Sequence, residues 1–182
     1  IITVTGGPLA VSPVATPSTI CKYASTKLYP MAGGGSGNYS FSWTSSPPGF
    51  TSTQPDPEVT PLETTVYYVN ISDGFNQSSG AVYVYVNPTP VIRLGPPDTT
   101  VCIFDTVTLN AGNPGSEYYW SNGSSSQMIK VGTTGLGYDI QTYKVRVTNH
   151  YSCIDSAFIN VIFSYTACSG IHEQFEGAEI NV

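Results

Sequence analysis

Apolar and polar side chains alternate in short runs along the whole chain, and two of these runs contain the two Trp residues. Residues 39–43 place Tyr39, Phe41 and Trp43 on alternate positions, and residues 117–121 place a second aromatic run before Trp120. Successive side chains of a strand point to opposite faces, so a period of two predicts strands with one buried face. The alternation therefore predicts an all-β chain without a helix of useful length.

The two aromatic runs belong to a repeat. After each Trp comes a polar turn and then an alternation of Tyr and Val. Trp43 and Trp120 lie 77 positions apart, and Tyr67 and Tyr143 lie 76 apart. Matching offsets of this kind indicate two copies of one unit, each about 80–90 residues long.

Turn residues divide each copy into short strands, which is the pattern of a β-sandwich. We expect a first sandwich over residues 1–87, a stiff proline linker at 88–90, a second sandwich over 91–168 and a polar tail over 169–182. Strands are predicted in the first copy at 9–14, 26–29, 39–43, 58–60, 65–72 and 80–86. In the second copy they are predicted at 107–109, 117–121, 128–131, 141–148 and 156–163.

The charges of one strand set the register of both closing hairpins. Lys144 and Arg146 must face solvent, so the alternate residues face the core. These are Tyr143, Val145 and Val147 in the second copy and, by the repeat, Tyr67, Val69 and Ile71 in the first.

The same register predicts an exposed aromatic surface on the first copy. Tyr68, Tyr83 and Tyr85 face outward on adjacent strands, and the face also carries Ser40, Ser42 and Thr44. Exposed Tyr rings beside hydroxyls can stack on sugar rings or anchor a protein partner, so these three Tyr are candidate ligand-binding residues. The alternative is that the rings cover one another as cross-strand pairs and only stabilise the sheet.

The charge and composition of the chain exclude some classes of binding partner. Charged residues make up 10% of the chain, the net charge is −6, and only six residues are Lys or Arg. Nucleic acid binding needs clustered cations, so we expect no nucleic acid partner. No apolar run approaches the ~20 residues of a membrane span. The start of the chain is not a signal peptide, and we expect a piece of a longer exported protein, monomeric, with a glycan or a surface protein as partner.

Candidate catalytic and metal-binding residues are few. A Ser-His-Asp arrangement would have to use His150 or His172, which we interpret as a solvated turn residue and a tail residue. Paired carboxylates need a cleft, which a small sandwich without long insertions is expected to lack. Two loops offer oxygen ligands for calcium, Asp56 with Glu58 and Asp73 with Asn76, but calcium needs six to eight. We expect no enzyme, no metal and no cofactor.

Several stretches carry a resemblance to a known class of modules. They are residues 33–39, 41–43, 94–102, 107–113, 119–123 and 143–149 with Cys153. They are similar to the tandem Ig-like and PKD-like modules of secreted Bacteroidetes surface proteins. Both copies lack the Asp-containing turn that follows the Trp in PKD domains, so Ig-like is the better label. Residues 171–182 resemble the lead-in to the C-terminal sorting domain of type IX secretion.

The resemblance implies two tandem Ig-like β-sandwiches in a secreted or cell-surface protein. Such modules act as non-catalytic spacers or adhesion units. Two alternatives stay open: a carbohydrate-binding module that uses the outward Tyr residues, or accessory domains of a larger secreted hydrolase.

Four Cys in an exported protein suggest two disulfides, and four allow three pairings. In an Ig-like sandwich Cys102, at the start of the second strand, and Cys153, after the last turn, lie about 17–20 Å apart, too far to bond. Cys168 follows the last strand and returns to the end where Cys102 lies. We therefore predict Cys102–Cys168 within the second copy. Cys21 occupies the position of Cys102 in the first copy, and we predict Cys21–Cys153 between the copies. The alternatives are free buried thiols or, with less support from the Cys spacing, a zinc site.

Overall fold

The computed structural model describes residues 6–96, 98–133 and 138–168 of the 182-residue chain. The chain divides into two compact units, Ile1–Pro88 and Thr89–Val182. Every described element is a strand except one 3₁₀ turn at Tyr165–Ala167, which confirms the predicted all-β class. No helix of the described residues is long and apolar enough to cross a membrane.

The first unit is built from ten strands in three sheets. They are β1 Ala10–Val11, β2 Val14–Thr16, β3 Thr19–Cys21, β4 Thr26–Tyr29, β5 Ala32–Gly33, β6 Ser40–Ser46, β7 Thr51–Ser52, β8 Glu58–Val59, β9 Thr65–Ser72 and β10 Gln77–Asn87. The largest sheet has the order β3-β10-β9-β6-β7, a second has the order β2-β4-β8, and β1 pairs with β5.

The core of the first unit joins the two larger sheets. Trp43 from β6 is fully buried, together with Leu28 from β4 and Val59 from β8. The inward residues of β9 are buried as predicted: Tyr67, Val69 and Ile71. The alternation therefore gives the correct register for this strand.

The second unit is a smaller version of the same plan. Its strands are β11 Thr99–Cys102, β12 Thr106–Asn110, β13 Glu117–Trp120, β14 Met128–Gly132, β15 Asp139–Thr148 and β16 Ile154–Ser164. One sheet has the order β11-β16-β15-β13, and β12 pairs with β14. The core contains the three residues predicted from β15, together with Trp120, Leu109, Ile129 and Phe163.

Each unit fixes its Trp ring with a hydrogen bond to the loop that follows. Trp43 donates its indole N–H to the carbonyl of Gln54 at 3.1 Å, and Trp120 donates to the carbonyl of Ser126 at 2.8 Å. A buried indole N–H without a partner would cost about 1–3 kcal/mol. The two Trp are therefore equivalent in polar contact as well as in sequence.

The closing hairpins of the two units also use the same kind of side-chain hydrogen bond in their turns. Asp73 and Asn149 lie 76 positions apart and each follows the first strand of its hairpin. Asp73 Oδ1 accepts the backbone N–H groups of Phe75 and Asn76, at 2.9 and 2.6 Å. Asn149 Oδ1 accepts those of Tyr151 and Cys153, both at 3.0 Å. A short side-chain acceptor thus closes both turns.

A parallel ladder connects an early strand to the last strand in each unit. Strand β3 pairs with β10, with Cys21 opposite Asn87, and β11 pairs with β16, with Cys102 opposite Ser164. The placement of Cys102 at the start of the second strand is therefore wrong. It ends β11, and the second strand, β12, begins only at Thr106 after a turn.

A disulfide joins Cys102 to Cys168, the pairing that the sequence predicts. The ladder brings Cys102 beside the end of β16, and the 3₁₀ turn that follows returns the chain so that the two Cα atoms lie 4.5 Å apart. The bond therefore links the end of β11, the first strand of the second unit, to the residue that follows the 3₁₀ turn after β16.

Candidate functional site

The outer side of the five-stranded sheet carries three Tyr side chains, which we call the tyrosine face. Tyr68 on β9 is 44% exposed, and Tyr83 and Tyr85 on β10 are 54% and 52% exposed. Tyr68 lies opposite Ala81 and Tyr83 opposite Val66, so the three rings share one side of the sheet. They point outward because their sequence neighbours fill the core.

The tyrosine face is free of charge and rich in hydroxyl groups. Strands β6, β9 and β10 contain no Asp, Glu, Lys or Arg. On β6, Thr44 lies opposite Tyr68, and the predicted Ser40 and Ser42 are exposed on the same side. The face can therefore offer ring surfaces and neutral hydrogen-bonding groups to a ligand.

Tyr83 and Tyr85 stack on each other along one strand. Their ring centroids lie 6.0 Å apart and their planes are inclined by 14°. This contact is along β10, whereas the alternative reading expects rings paired across strands. Each ring still leaves about half of its area in solvent, so the stack forms a small flat aromatic platform.

The first unit also has an open cleft, which the sequence analysis does not expect. Its volume is about 470 Å³. Its walls include Pro47, Phe50, Glu58, Glu63 and Tyr67. The cleft is lined by the turn at residues 47–49 and by the loop at residues 60–63, so the expectation that a small sandwich lacks a cleft does not hold for this unit. Burial raises the pKa of the Tyr67 phenol, and Glu58 accepts the hydroxyl of Ser25.

In the candidate calcium loop that contains Asp73 and Asn76, the carboxylate is already hydrogen-bonded to the protein. Asp73 accepts hydrogen bonds from the backbone N–H groups of Asn76, Phe75 and Ser36, which lower its pKa to about 2. The Asn76 side chain turns its N–H₂ group, not its oxygen, toward this carboxylate. Calcium requires oxygen ligands converging on one point, and here N–H donors surround the carboxylate instead.

In the other candidate calcium loop, which contains Asp56 and Glu58, both carboxylates also have protein partners. Asp56 pairs with Lys27 at 3.7 Å, and Glu58 holds Ser25. In the described part of the chain no three His, Cys, Asp or Glu side chains gather to hold a metal ion.

His150, the candidate catalytic His that the structure describes, is not part of a catalytic arrangement. His150 is exposed in the turn between β15 and β16, and its ring lies 3.8 Å from that of Tyr151. Within residues 138–168 no carboxylate is hydrogen-bonded to His150. His172 and the tail that resembles a sorting-domain lead-in lie outside the described residues.

A second exposed face, on the second unit, is not predicted as a site. Lys144 and Arg146 on β15 are flanked by Phe158 on β16 and Tyr119 on β13. Glu117 on β13 shares this side of the sheet with Tyr119, and Asn160 on β16 donates to Asp98 at 2.9 Å, so the face carries charges of both signs. The sequence analysis uses Lys144 and Arg146 only to set the register. The repeat offset, which matches Lys144 with Tyr68, is the signal that could have found it.

Comparison with protein families and with curated proteins finds no match to this sequence. Among solved structures, the chain is similar to the insect immune protein hemolin, with TM-score 0.51, 15% identity and coverage of 90% of this chain and 47% of that chain.

Two further structures align less closely. The N-terminal eight Ig domains of Down Syndrome Cell Adhesion Molecule give TM-score 0.41 at 13% identity, covering 86% of this chain and 27% of that one. Three domains of the bacteriophage RB49 outer capsid protein Hoc give 0.40 at 15%, covering 85% and 58%. This chain therefore spans between about a quarter and three fifths of those chains. The sheet topology and the likeness to hemolin show that the protein consists of two tandem Ig-like β-sandwiches.

Proposed function

We propose that this chain is a non-catalytic adhesion and spacer module of a secreted or surface-attached bacterial protein, and that its tyrosine face binds a neutral glycan. The single observation that carries the proposal is a charge-free, hydroxyl-rich sheet face on which Tyr68, Tyr83 and Tyr85 keep about half of their surface in solvent.

The chemistry of this face suits sugars. A Tyr ring offers an apolar surface and a polar hydroxyl at low conformational cost, so it can stack on the C–H face of a sugar while neighbouring hydroxyls bond its O–H groups. The platform of Tyr83 and Tyr85 is already stacked, and so little ordering is needed on binding. A flat face of this kind favours attachment over catalysis, which needs reacting groups held in a water-excluded site.

The spacer role follows from the order of the domains. Two sandwiches in series separate the segments that flank them, and Pro88 and Pro90 favour an extended connection. The predicted Cys21–Cys153 bond belongs to the same proposal.

The bacterial, exported context is supported by the resemblance of both copies to modules of secreted Bacteroidetes surface proteins and of the tail to a sorting-domain lead-in. The complete reading frame tests it. Further copies of the unit and a type IX sorting domain would support the proposal, and an upstream catalytic domain would favour accessory domains of a hydrolase.

Binding is tested on a glycan array with the full chain and the double variant Tyr68→Thr/Tyr83→Thr. Thr keeps a hydroxyl and a high strand propensity, so the sheet is preserved. We expect the variant to lose roughly tenfold in apparent affinity for the neutral glycans that the native chain binds.

The control is Tyr23→Asn, because Tyr23 is an exposed Tyr of the same unit in a turn outside the tyrosine face, and its φ of +73° suits Asn but not a β-branched residue. Unchanged binding by the double variant, or an equal loss in the control, would contradict the role of this face.

A further inference from the structure

The cleft of the first unit contains a hydroxyl group of a buried side chain that the protein leaves open. Tyr67 lines the cleft and is only 3% exposed, yet its phenol has no hydrogen-bond partner among the residues that the structure describes. In the same residues, no fully buried side-chain N or O atom lacks a partner, so this hydroxyl must reach solvent, and the cleft is where it does so. It can therefore bond a molecule that enters the cleft, as donor or as acceptor.

The second unit satisfies the equivalent hydroxyl from within. Tyr143 lies 76 positions after Tyr67, and its phenol donates to the side-chain oxygen of Gln141 on the same strand. The position equivalent to Gln141 is Thr65, whose shorter side chain donates instead to the carbonyl of Glu63 at 2.7 Å. The same Tyr hydroxyl is thus closed off by the protein in the second unit and open to a ligand in the first.

Two carboxylates also line the cleft. Within the described part of the chain, the side chain of Glu63 has no hydrogen-bond or ion-pair partner, and Glu58 uses one oxygen, which accepts the hydroxyl of Ser25. None of the residues that line the cleft is Lys or Arg. Carboxylates only accept hydrogen bonds, so the cleft favours a ligand that is rich in N–H donors.

The cations of the first unit do not cancel the charge of the cleft. The unit contains two, Lys22 and Lys27, against four carboxylates. Lys27 lies opposite Glu58 in the β4–β8 ladder but pairs with Asp56 at 3.7 Å. Lys22 lies over the ring of the next residue, 5.4 Å from its centre. The two Glu side chains of the cleft therefore keep it negative, and such a cleft attracts a cationic group.

The walls of the cleft suit a flat cation on an apolar stem. The turn after β6 contributes Pro47, Pro48 and the ring of Phe50, and the loop before β9 contributes Leu62, which is 57% exposed. The Phe50 ring is held edge to face against Tyr67, with centroids 5.4 Å apart, and proline fixes the backbone of the turn, so little ordering is needed on binding. The volume of about 470 Å³ lies within the usual range of small-ligand sites.

We propose that this cleft binds an arginine side chain that an exposed segment of a partner protein presents. The guanidinium pairs with Glu63 and donates to the Tyr67 hydroxyl, while the apolar stem packs on Phe50. Arginine is favoured over lysine because its flat fork of five donors can bond a carboxylate twice, leave donors for a second acceptor and stack on a ring. This goes beyond the proposed function, which concerns the tyrosine face on the outer side of the sheet.

The test is ¹⁵N NMR titration of the full chain with a capped Gly-Arg-Gly peptide. Two matched probes replace its arginine by lysine or by citrulline, which keeps the shape of the arginine side chain without its charge. We expect saturable shifts of the cleft amides, at residues 49–50 and 60–63, with the arginine peptide, several-fold weaker binding of the lysine peptide and no saturation with the citrulline peptide. Binding should weaken severalfold from ~50 to ~300 mM NaCl, because salt screens exposed charges.

Variants decide whether the cleft itself is responsible. Glu63→Gln keeps the size of an exposed side chain but removes its charge, and should weaken binding of the arginine peptide about tenfold. Tyr67→Phe keeps the ring and removes only the hydroxyl, and should weaken binding about threefold. Glu117→Gln is the matched control, because it makes the same change at an exposed Glu of the second unit and should leave binding unchanged. The ¹⁵N spectrum of each variant without peptide shows that it is folded.

Four results would overturn the inference: equal affinity for the arginine and citrulline peptides, tighter binding of the lysine peptide, unchanged affinity in either cleft variant, or an equal loss in the control. Shifts of the cleft amides with neutral maltohexaose but not with the arginine peptide would also overturn it, in favour of a sugar. Tyr68→Thr/Tyr83→Thr should bind the arginine peptide as well as the native chain does. Failure here is therefore distinguishable from failure of the tyrosine face.

Discussion

Ser36 donates its backbone N–H to a carboxylate oxygen of Asp73 at 3.0 Å and its hydroxyl to the Asp73 carbonyl at 3.1 Å. The two residues lie 37 positions apart, so one side chain ties the glycine-rich turn before β6 to the β9–β10 hairpin. Asp73 thus performs the turn-closing role that Asn149 has in the second unit and adds a long-range contact.

Asp73→Asn should destabilise the first unit and remove part of its acid sensitivity. The folded pKa of Asp73, about 2, lies below its ordinary value of 3.8, so the carboxylate stabilises the fold above about pH 4 and this stability is lost as pH falls toward 2. Asn still offers one oxygen to Phe75 and Asn76, but it turns an N–H₂ group toward the Ser36 N–H.

The measurement is the urea midpoint as a function of pH for the native chain and the variant. Asp56→Asn is the control, because its exposed ion pair with Lys27 should contribute below about 1 kcal/mol. The prediction fails if Asp73→Asn and the native chain lose stability in parallel between pH 4 and 2.

Gly35→Ala should cost more stability than Gly37→Ala. Both Gly residues have positive φ, +61° and +83°, so each Ala pays about 1–2 kcal/mol of backbone strain. A Cβ on Gly35 would also collide with Asp73 Oδ2, whereas one on Gly37 meets no atom within 4 Å. Thermal unfolding of the two variants gives the difference, and equal midpoints would show that Asp73 moves aside without cost.

Replacing either Trp by Phe should destabilise its own sandwich by about 2–4 kcal/mol, because ring volume and the indole hydrogen bond are both lost. In Trp43→Phe, circular dichroism should show the first unit unfolding at lower urea, and the fluorescence of Trp120 reports the second unit alone. Tyr119→Phe, an exposed ring, is the control and should change stability by less than about 0.5 kcal/mol. A cost below about 1 kcal/mol for Trp43→Phe would contradict the anchoring role.

The pairing of Cys21 with Cys153 stays a prediction, and a peptide map made without reductant tests it. We expect one linked peptide pair that contains Cys21 and Cys153 and another that contains Cys102 and Cys168. The same digest after reduction is the control, because both pairs should then separate. A Cys102–Cys153 peptide would refute the topological argument.

The sequence predicts long strands well and short ones poorly. The alternation in β9 and β15 gives the correct inward residues, since eight to ten residues display a period of two clearly. Strands such as β3 and β11 have three or four residues and show no period. Their parallel partners, β10 and β16, are the last strands of the two units in sequence. A local sequence pattern carries no information on pairing between strands that are so far apart in sequence. The predicted placement of Cys102 at the start of the second strand was wrong for this reason.

The candidate surfaces were predicted in part. Outward Tyr residues follow from the register, but the stacking of Tyr83 on Tyr85 depends on side-chain torsions that the sequence does not encode locally. The turn roles of Asp73 and Asn149 were missed because one was considered only as a calcium ligand. The cleft beside Glu63 depends on the path of two loops, which strand patterns leave undetermined.

The Cys102–Cys168 bond has a consequence for a chain that is pulled at both ends. Tension entering the second sandwich through β11 passes from Cys102 to Cys168 through sulfur, and the segment between them, 66 positions in sequence separation, carries no load. Reduction would shift the load to the parallel β11–β16 ladder in shear and, after rupture, release roughly 220 Å of slack. Under oxidising conditions this unit is therefore a link of fixed length whose four-stranded sheet keeps its shape under strain.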